Sequence, residues 1–234
     1  MSDNVTKKKI FNSEQFANSE RLREADRQPY TIYRVCKRVI DVVGALIGLI
    51  LTLPIFIVIS FLYLFGENKG PIFYRQQRIG KNGGNFNILK FRSMIVDAET
   101  VLKSDKHLYQ KYLKNNYKLE PEEDPRITNV GRILRKTSLD ELPQLINVLK
   151  GDMSLVGPRP VIQEELKEYN ARLADFLAVK PGVTGYWQIC GRSDVGYPER
   201  AELEFYYIDH YGIKLDTKIL IGTVLLVITR RGAY

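Results

Sequence analysis

Asp140 and Glu141 stand side by side in "TSLDELPQ", residues 137–144, with Arg132, Arg135 and Lys136 ahead of them and Pro143 close behind. Adjacent carboxylates repel, so the pair calls for a chemical reason. Proline is tolerated only in the first turn of a helix. The helix that carries Leu142, Leu145, Ile146 and Leu149, closed by Gly151, must therefore start close to Asp140. At a helix amino terminus, unpaired N–H groups and the dipole favour anions and lower a carboxylate's pKa. Simple capping would account for an isolated acid there.

The neighbouring cations argue for more. Arg135 and Lys136 converge on the same helix end and suit a phosphate held by N–H groups and guanidinium together. "GPRP" holds Arg159 between two prolines, and "LKFRSM" places Lys90 and Arg92 on one face by period-two alternation. Taken singly, each has a bland reading as a solvated turn or strand face. Together they describe a site for phosphate chemistry. A carboxylate can attack phosphorus to form an acyl-phosphate, splitting a hard transfer into two steps. A second can hold Mg²⁺ or move a proton, and Mg²⁺ takes carboxylate oxygens together with substrate phosphates. Asp140 as nucleophile with Glu141 as helper is coherent, and the reverse stays open at this level.

What must position these residues includes a membrane segment. Val42 to Phe65 reads "VVGALIGLILTLPIFIVISFLYLF", uncharged throughout and longer than the about 18 residues that mark a membrane candidate. It begins too far from Met1, after too polar a stretch, for a signal peptide. A buried core helix is the alternative. Arg34, Lys37 and Arg38 precede it; Lys69, Arg75, Arg78 and Lys81 follow, so both flanks read as cytoplasmic. Pro54 bends the middle. Each half then spans about 18 Å, too short for a core of about 30 Å. The expectation is a proline-broken re-entrant helical hairpin that enters, breaks at Thr52-Leu53-Pro54 and returns to the same face, with a plain span as the alternative. Thr52 and Ser60 hydroxyls would serve the freed carbonyls. Asp41 would sit at the mouth beside Arg38 or Lys37.

The remainder predicts a mainly α protein with a small β-hairpin (α+β). Residues 1–29 form a polar, weakly structured tail, residues 30–66 the membrane helix-break-helix, and residues 67–234 an interfacial catalytic domain. An Asn82-Gly83 turn signals the hairpin. One amphipathic helix is expected over residues 94–114, another from Pro160 to Val179, and a further one from Pro198 to His210. "KPGVTGYWQICGRSD" reads as a glycine-punctuated loop, and "ILIGTVLLVI" as a segment lying on or dipping into the membrane interface, or as a core helix. Cys36 and Cys190 match no metal spacing and read as reduced thiols. The formal charge of +8 favours anionic partners.

These motifs are similar to those of the bacterial polyprenyl-phosphate sugar-1-phosphate transferases, the monotopic phosphoglycosyl transferases. The resemblance runs from about Arg34 to the C-terminus, through "YRVCKRVIDVVGA", "FYRQQRIGKNG", "LKFRSM", "DPRITNVGRILRKTSLDELPQLINVLKGDMSLVGPRP", "KPGVTGYWQICGR" and "YYIDHY". It implies transfer of a sugar-1-phosphate from a UDP-sugar to undecaprenyl phosphate with release of UMP, the initiating step of a surface glycan. Asp140 would be the covalent nucleophile, Glu141 its assistant, and Mg²⁺ a requirement, held by the acidic pair. Arg135 and Arg159 would contact substrate phosphate, with Lys90 and Arg92 beside them. Arg126, Gln188 and Arg192 would line the nucleotide-sugar pocket. Pro54 would mark the break of an anchor on the cytoplasmic face of the inner membrane. Many larger members carry an N-terminal multi-span module, and the expectation is that this chain does without it.

An anionic phospholipid bilayer as partner uses the positive surplus, each nearby cation adding about 1 kcal/mol, so nucleic acid is not expected. Tyr74, Phe86 and Phe91 read as core residues rather than as a stacking platform. A membrane-tethered nucleotide-sugar pyrophosphatase and a non-enzymatic scaffold or regulator are the competing readings. The sugar is not legible, and a homodimer stays open.

Overall fold

A computed structural model describes residues 28–114, 119, 123–191 and 195–229; the expected polar tail lies almost wholly outside them. The uncharged run from Val42, with the charged stretch before it, makes the first element, α1 (Gln28–Leu62), which contains Pro54. It is one continuous helix through the proline rather than two separate limbs. The Thr52 and Ser60 hydroxyls donate to the Gly48 and Phe56 carbonyls, each 2.7 Å away on their own helix. Neither serves the Ile50 carbonyl, the one that Pro54 deprives of its amide. Among the described residues, Ile32–Leu62 is the helix long and apolar enough to cross a membrane. One side leaves Val43, Ile47, Ile50, Leu51 and Val58 exposed.

The other side of α1 packs along the rest of the chain. Ala45 is buried with Ile88, Leu145, Val148 and Met153, while Ile59 and Tyr63 are buried with Phe91 and Leu134. Asp41 is not paired with Arg38 or Lys37 as expected. It is buried and accepts from Ser154 Oγ and the Leu155 amide, both at 2.9 Å. Arg38 instead donates to the Val148 and Leu149 carbonyls, and Lys37 pairs with Asp216 at 2.7 Å.

The hairpin forms where Asn82-Gly83 predicts it. Strands β1 (Phe73–Ile79) and β2 (Asn85–Phe91) pair antiparallel, Tyr74 opposite Lys90 and Arg78 opposite Phe86, with Asn82 at φ 59° in the turn. The next stretch is two helices, α2 (Ala98–Ser104) and α3 (Lys106–Lys114), not one. Asp105 breaks the run with extended backbone, and its carboxylate accepts from the His107 and Leu108 amides.

α4 (Asn129–Thr137) and α5 (Gln144–Lys150) flank a single 3₁₀ turn, Leu139–Glu141. β3 (Ser154–Val156) then pairs in parallel with β4 (Gly182–Thr184), inside what reads from sequence as a loop. The helix expected over Pro160–Val179 is mostly a 3₁₀ stretch, Gln163–Arg172, interrupted at Asn170 (φ 42°) before the short α6 (Leu173–Leu177). α7 (Tyr186–Cys190) carries Trp187, α8 (Glu199–His210) ends at the predicted place, and α9 (Ile213–Thr229) follows. α9 resolves the two alternatives left by its sequence into one helix with two sides: Ile219 is fully buried, whereas Ile221, Val224 and Leu225 are exposed.

Candidate active site

The acidic pair is aimed by the local backbone. Thr128 caps α4, its hydroxyl accepting from the Gly131 amide at 2.9 Å. Ser138 ends that helix in the left-handed region (φ 57°) and turns the chain into Leu139–Glu141. In a 3₁₀ turn, residues three apart share a face. Leu139 and Leu142 pack into the cluster around Tyr63, Phe91 and Leu134, which turns Asp140 and Glu141 the other way. Pro143 occupies the cap position of α5, and neither it nor Ser138 makes a side-chain capping bond. The acids are therefore not the cap of α5, and the simplest structural role for them fails.

Lys90 meets them from β2, its Nζ 2.6 Å from Glu141 Oε1. Asn147 makes that meeting possible. Its side chain accepts from the Leu89 amide (2.9 Å) and donates to the Asn87 carbonyl (2.8 Å), so α5 supplies the outer edge of β2 with the partners a third strand would. Burial pushes Asp140 up to about 6, helped by Glu141 and opposed by Lys90 and Arg135. Burial acts on Glu141 in the same direction, yet Lys90, Arg159 and a bond to Gln144 outweigh it and hold Glu141 below the usual range. The two carboxyls are thus driven apart, with Glu141 ionised in an ion pair and Asp140 able to change state near neutrality.

Other predicted residues divide. Arg135 joins the site, its Nε donating to Ser93 Oγ at 2.8 Å. Arg159 joins it too, close enough to stabilise ionised Glu141. Arg92 does not: it is buried and donates to the Asn68, Pro71 and Met94 carbonyls, tying the loop after α1 to the end of β2. Arg126 is also committed elsewhere. It grips Asp124 through two bonds of 2.7 Å and lies over Tyr112, so a nucleotide-pocket role does not fit it. Arg192 lies outside the described residues. Gln188 and buried Trp187 stand on α7 near Arg159, whose guanidinium carbon is 5.5 Å from the indole centre.

Sequence reasoning missed Arg78, Arg200 and Glu204. The legible signal for two of them was Arg200 and Glu204 interrupting the apolar stripe Ala201, Phe205 and Ile208 of α8. Glu204 is buried and accepts from the Arg159 amide at 3.1 Å and from the Tyr169 hydroxyl. The loop bearing Arg159 is further pinned where Gly157 and Gly182 bring two backbones together: Gly157 donates to Thr184 and Gly182 to Pro158. A methyl group at either glycine would collide with the other strand's backbone.

No cluster of three or more His, Cys, Asp or Glu side chains occurs among the described residues. The acidic pair could offer a metal two carboxylates at most, with Glu141 Oε1 already taken by Lys90. That donor set fits Mg²⁺, which keeps several waters and completes its shell with substrate phosphates, and would not fit an ion needing an all-protein cage.

Two catalytic-type carboxyls set against cations, beside a long apolar helix, define a membrane-associated phosphate-handling enzyme. The chain belongs to the bacterial sugar transferase family, whose model matches residues 32–230. It is 42% identical over 204 residues to the exopolysaccharide production protein ExoY of Sinorhizobium fredii, covering 86% of this chain and 88% of that one. It is 43% identical over 204 residues to an undecaprenyl-phosphate galactose phosphotransferase of Salmonella typhimurium, covering 86% of this chain but 42% of that one. A UDP-N-acetylgalactosamine-undecaprenyl-phosphate N-acetylgalactosaminephosphotransferase of Aeromonas hydrophila is 33% identical over 211 residues, covering 88% of this chain and 46% of that one. The chain thus spans less than half the length of the Salmonella and Aeromonas relatives.

Proposed function

We propose that this transferase moves a sugar-1-phosphate from a UDP-sugar to undecaprenyl phosphate, releasing UMP, in the first membrane step of an exopolysaccharide or similar surface glycan. The observation that carries the reading is the Asp140–Glu141 pair, freed from capping, split in proton affinity, and flanked by Lys90, Arg135 and Arg159. The printed names of the relatives supply the substrate classes.

In the first half-reaction an Asp140 oxygen attacks the sugar-bearing phosphorus of the donor. The bond from that phosphorus to the bridging oxygen breaks, and the oxygen leaves with UMP. In the second, an oxygen of the lipid phosphate attacks the same phosphorus and the carboxylate of Asp140 departs, leaving a sugar diphospholipid. With both phosphate substrates fully ionised, neither step moves a proton. Lys90 keeps Glu141 charged, while Arg135 and Arg159 offset the phosphoryl charge. Mg²⁺, held by the acidic pair and the phosphates, would supply further neutralisation of that charge.

The same reading places the site at the cytoplasmic face of the inner membrane on a monotopic anchor. Support comes from α1 itself: Lys37, Arg38 and Asp41 near its start, and Ile59 and Tyr63 at its end, all contact the one catalytic body. Contacts to one body at both ends of the helix favour entry and return on one side. Asp140→Asn should abolish the phosphosugar–enzyme adduct formed when labelled UDP-sugar is supplied without lipid. A labelled adduct on that variant would put the nucleophile elsewhere.

A further inference from the structure

Beside Arg159 the fold gathers two more guanidinium groups that the proposed chemistry has not used. Arg200, on α8, is buried to 8% exposure with its guanidinium carbon 4.5 Å from the Trp187 ring centre and 4.9 Å from that of Tyr197. Its Nε and one Nη have no hydrogen-bond partner among the described residues, and its ion pair with Glu204 is a long 3.6 Å. Arg78, near the end of β1, keeps 11% of its side chain exposed; its Nε has no partner among the described residues and its Glu165 contact is again 3.6 Å. The Trp187 indole N–H, also buried, has no acceptor among the described residues.

A buried charged donor left without an acceptor is costly, and one cluster holding several is rare in a native fold. The surrounding charges do not fully cancel: Glu165 and Glu204 face three guanidinium groups at long range, and Glu141 beyond Arg159 is already paired with Lys90. Arg78 is held below its ordinary pKa by burial first and then by Arg159, with Arg200 adding to it. Four elements cooperate to hold this arrangement: the end of β1 bridges to Val161, the Arg159 loop hangs from Glu204, and α7 and α8 bring Trp187 and Arg200. A stable fold that assembles repelling guanidinium groups around an aromatic face is complementary to an anion.

We infer that Arg78, Arg159 and Arg200, with the Trp187 N–H, form the subsite that takes the phosphate of the departing nucleoside monophosphate. The inference rests on the transfer reaction proposed above and assigns its leaving-group side. As the bond between the two donor phosphates breaks, one negative charge passes to the bridging oxygen and leaves with the nucleotide. Lys90 and Arg159 both act on Glu141, and Arg159 in turn acts on Arg78, so the transferred phosphoryl and the leaving phosphate each have cations to meet. The lipid phosphate, which arrives in the second step, needs only the Lys90 and Arg135 side.

The test is equilibrium binding of radiolabelled UMP to the full chain in detergent, with emission of the single tryptophan, Trp187, as a second readout. The wild type should bind saturably, and inorganic phosphate should compete weakly. Arg200→Gln and Arg78→Gln should each weaken UMP binding about tenfold or more, the loss expected for one charge-assisted bond. Arg200→Lys, which keeps charge without the fork, should fall between and raise KM for the UDP-sugar while leaving KM for the lipid phosphate in place. Unfolding midpoints of all three separate binding loss from misfolding. Wild-type affinity in folded Arg200→Gln and Arg78→Gln, or a KM rise confined to the lipid, would overturn the assignment. Because UMP binding needs no covalent step, failure of the Asp140 adduct would leave this measurement standing, and the reverse.

Discussion

At the scale of single residues, the consequence that matters most is that burial, with Glu141 beside it, pushes Asp140 up to about 6 from an ordinary 3.8. Only the ionised carboxylate can attack phosphorus, so the single-turnover rate of adduct formation should fall roughly tenfold per unit as pH drops below about 6. A rate flat from pH 7 to pH 5 would deny Asp140 the role. The same shift has a stability side. A carboxyl whose folded pKa exceeds its unfolded one destabilises the fold when charged. The penalty is absent below about 3.8, grows as pH rises toward 6, and is full above it. Asp140→Asn should therefore stabilise the protein at pH 7.5 by about 1–2 kcal/mol, less than the full shift would convert to, since the group is only partly buried. Thermal unfolding in detergent without divalent metal should show a midpoint higher by about 2–4 °C per kcal/mol, with the gap closing by pH 4. Loss of activity together with gain of stability is the mark of a functional group held against its preference.

At the scale of elements, the site depends on α4 lying hard against the chain that leaves β2. A methyl at Gly131 would run into the Ser93 carbonyl and the Ser93 backbone behind it, with no flexible side chain to yield. Ser93 is the residue whose hydroxyl receives Arg135, and its carbonyl accepts the Thr128 amide. Gly131→Ala should cost about 3 kcal/mol, the upper part of the usual overpacking range, and should displace Arg135 as well. Urea unfolding would measure the first effect and the adduct rate the second; an unchanged midpoint would mean that the close approach is not kept in solution. Much of this layout is legible beforehand because it follows local rules. The Asn82-Gly83 hairpin, the α5 start near Pro143 and its stop at Gly151 follow from turn chemistry and helix capping. What is not legible is set by distant partners. β4 exists because Gly182 can touch Gly157, and the 160–179 segment, tied to β1 at Val161 and to α8 at Tyr169, is in large part 3₁₀. Arg92 and Arg126 read as site cations, since residue type alone does not show that backbone carbonyls will claim the first and Asp124, two residues away, the second. Lys90, two positions from Arg92 on the same strand face, is free for Glu141 only because Asn147 docks α5 there.

At the scale of the whole molecule, the question is how an apolar helix long enough to cross a bilayer can serve a site that works at one surface. α1 turns bare Val, Ile and Leu outward along one side and uses the other as a packing face for the catalytic body. α9 adds a second exposed apolar strip, with Thr223 bonded to Thr184 on its inner side at 2.7 Å. Both strips want lipid, yet neither helix can leave the body without breaking polar contacts. Drawing the amino-terminal end of α1 through to the far face would strip Lys37 from Asp216, Arg38 from two carbonyls and Asp41 from Ser154. Each charge orphaned in this way costs about 3–5 kcal/mol. Lipid burial of the same apolar side chains is gained equally by a helix that dips and returns, so nothing offsets that loss. Both flanks of α1 should therefore face the cytoplasm. In a Cys36→Ser, Cys190→Ser background, Arg34→Cys and Lys69→Cys, both at exposed positions, report the two ends. A membrane-impermeant maleimide should label both in inverted vesicles and neither in intact spheroplasts. Labelling of Arg34→Cys from outside with Lys69→Cys labelled from inside would make α1 a full span and contradict the proposed monotopic anchor.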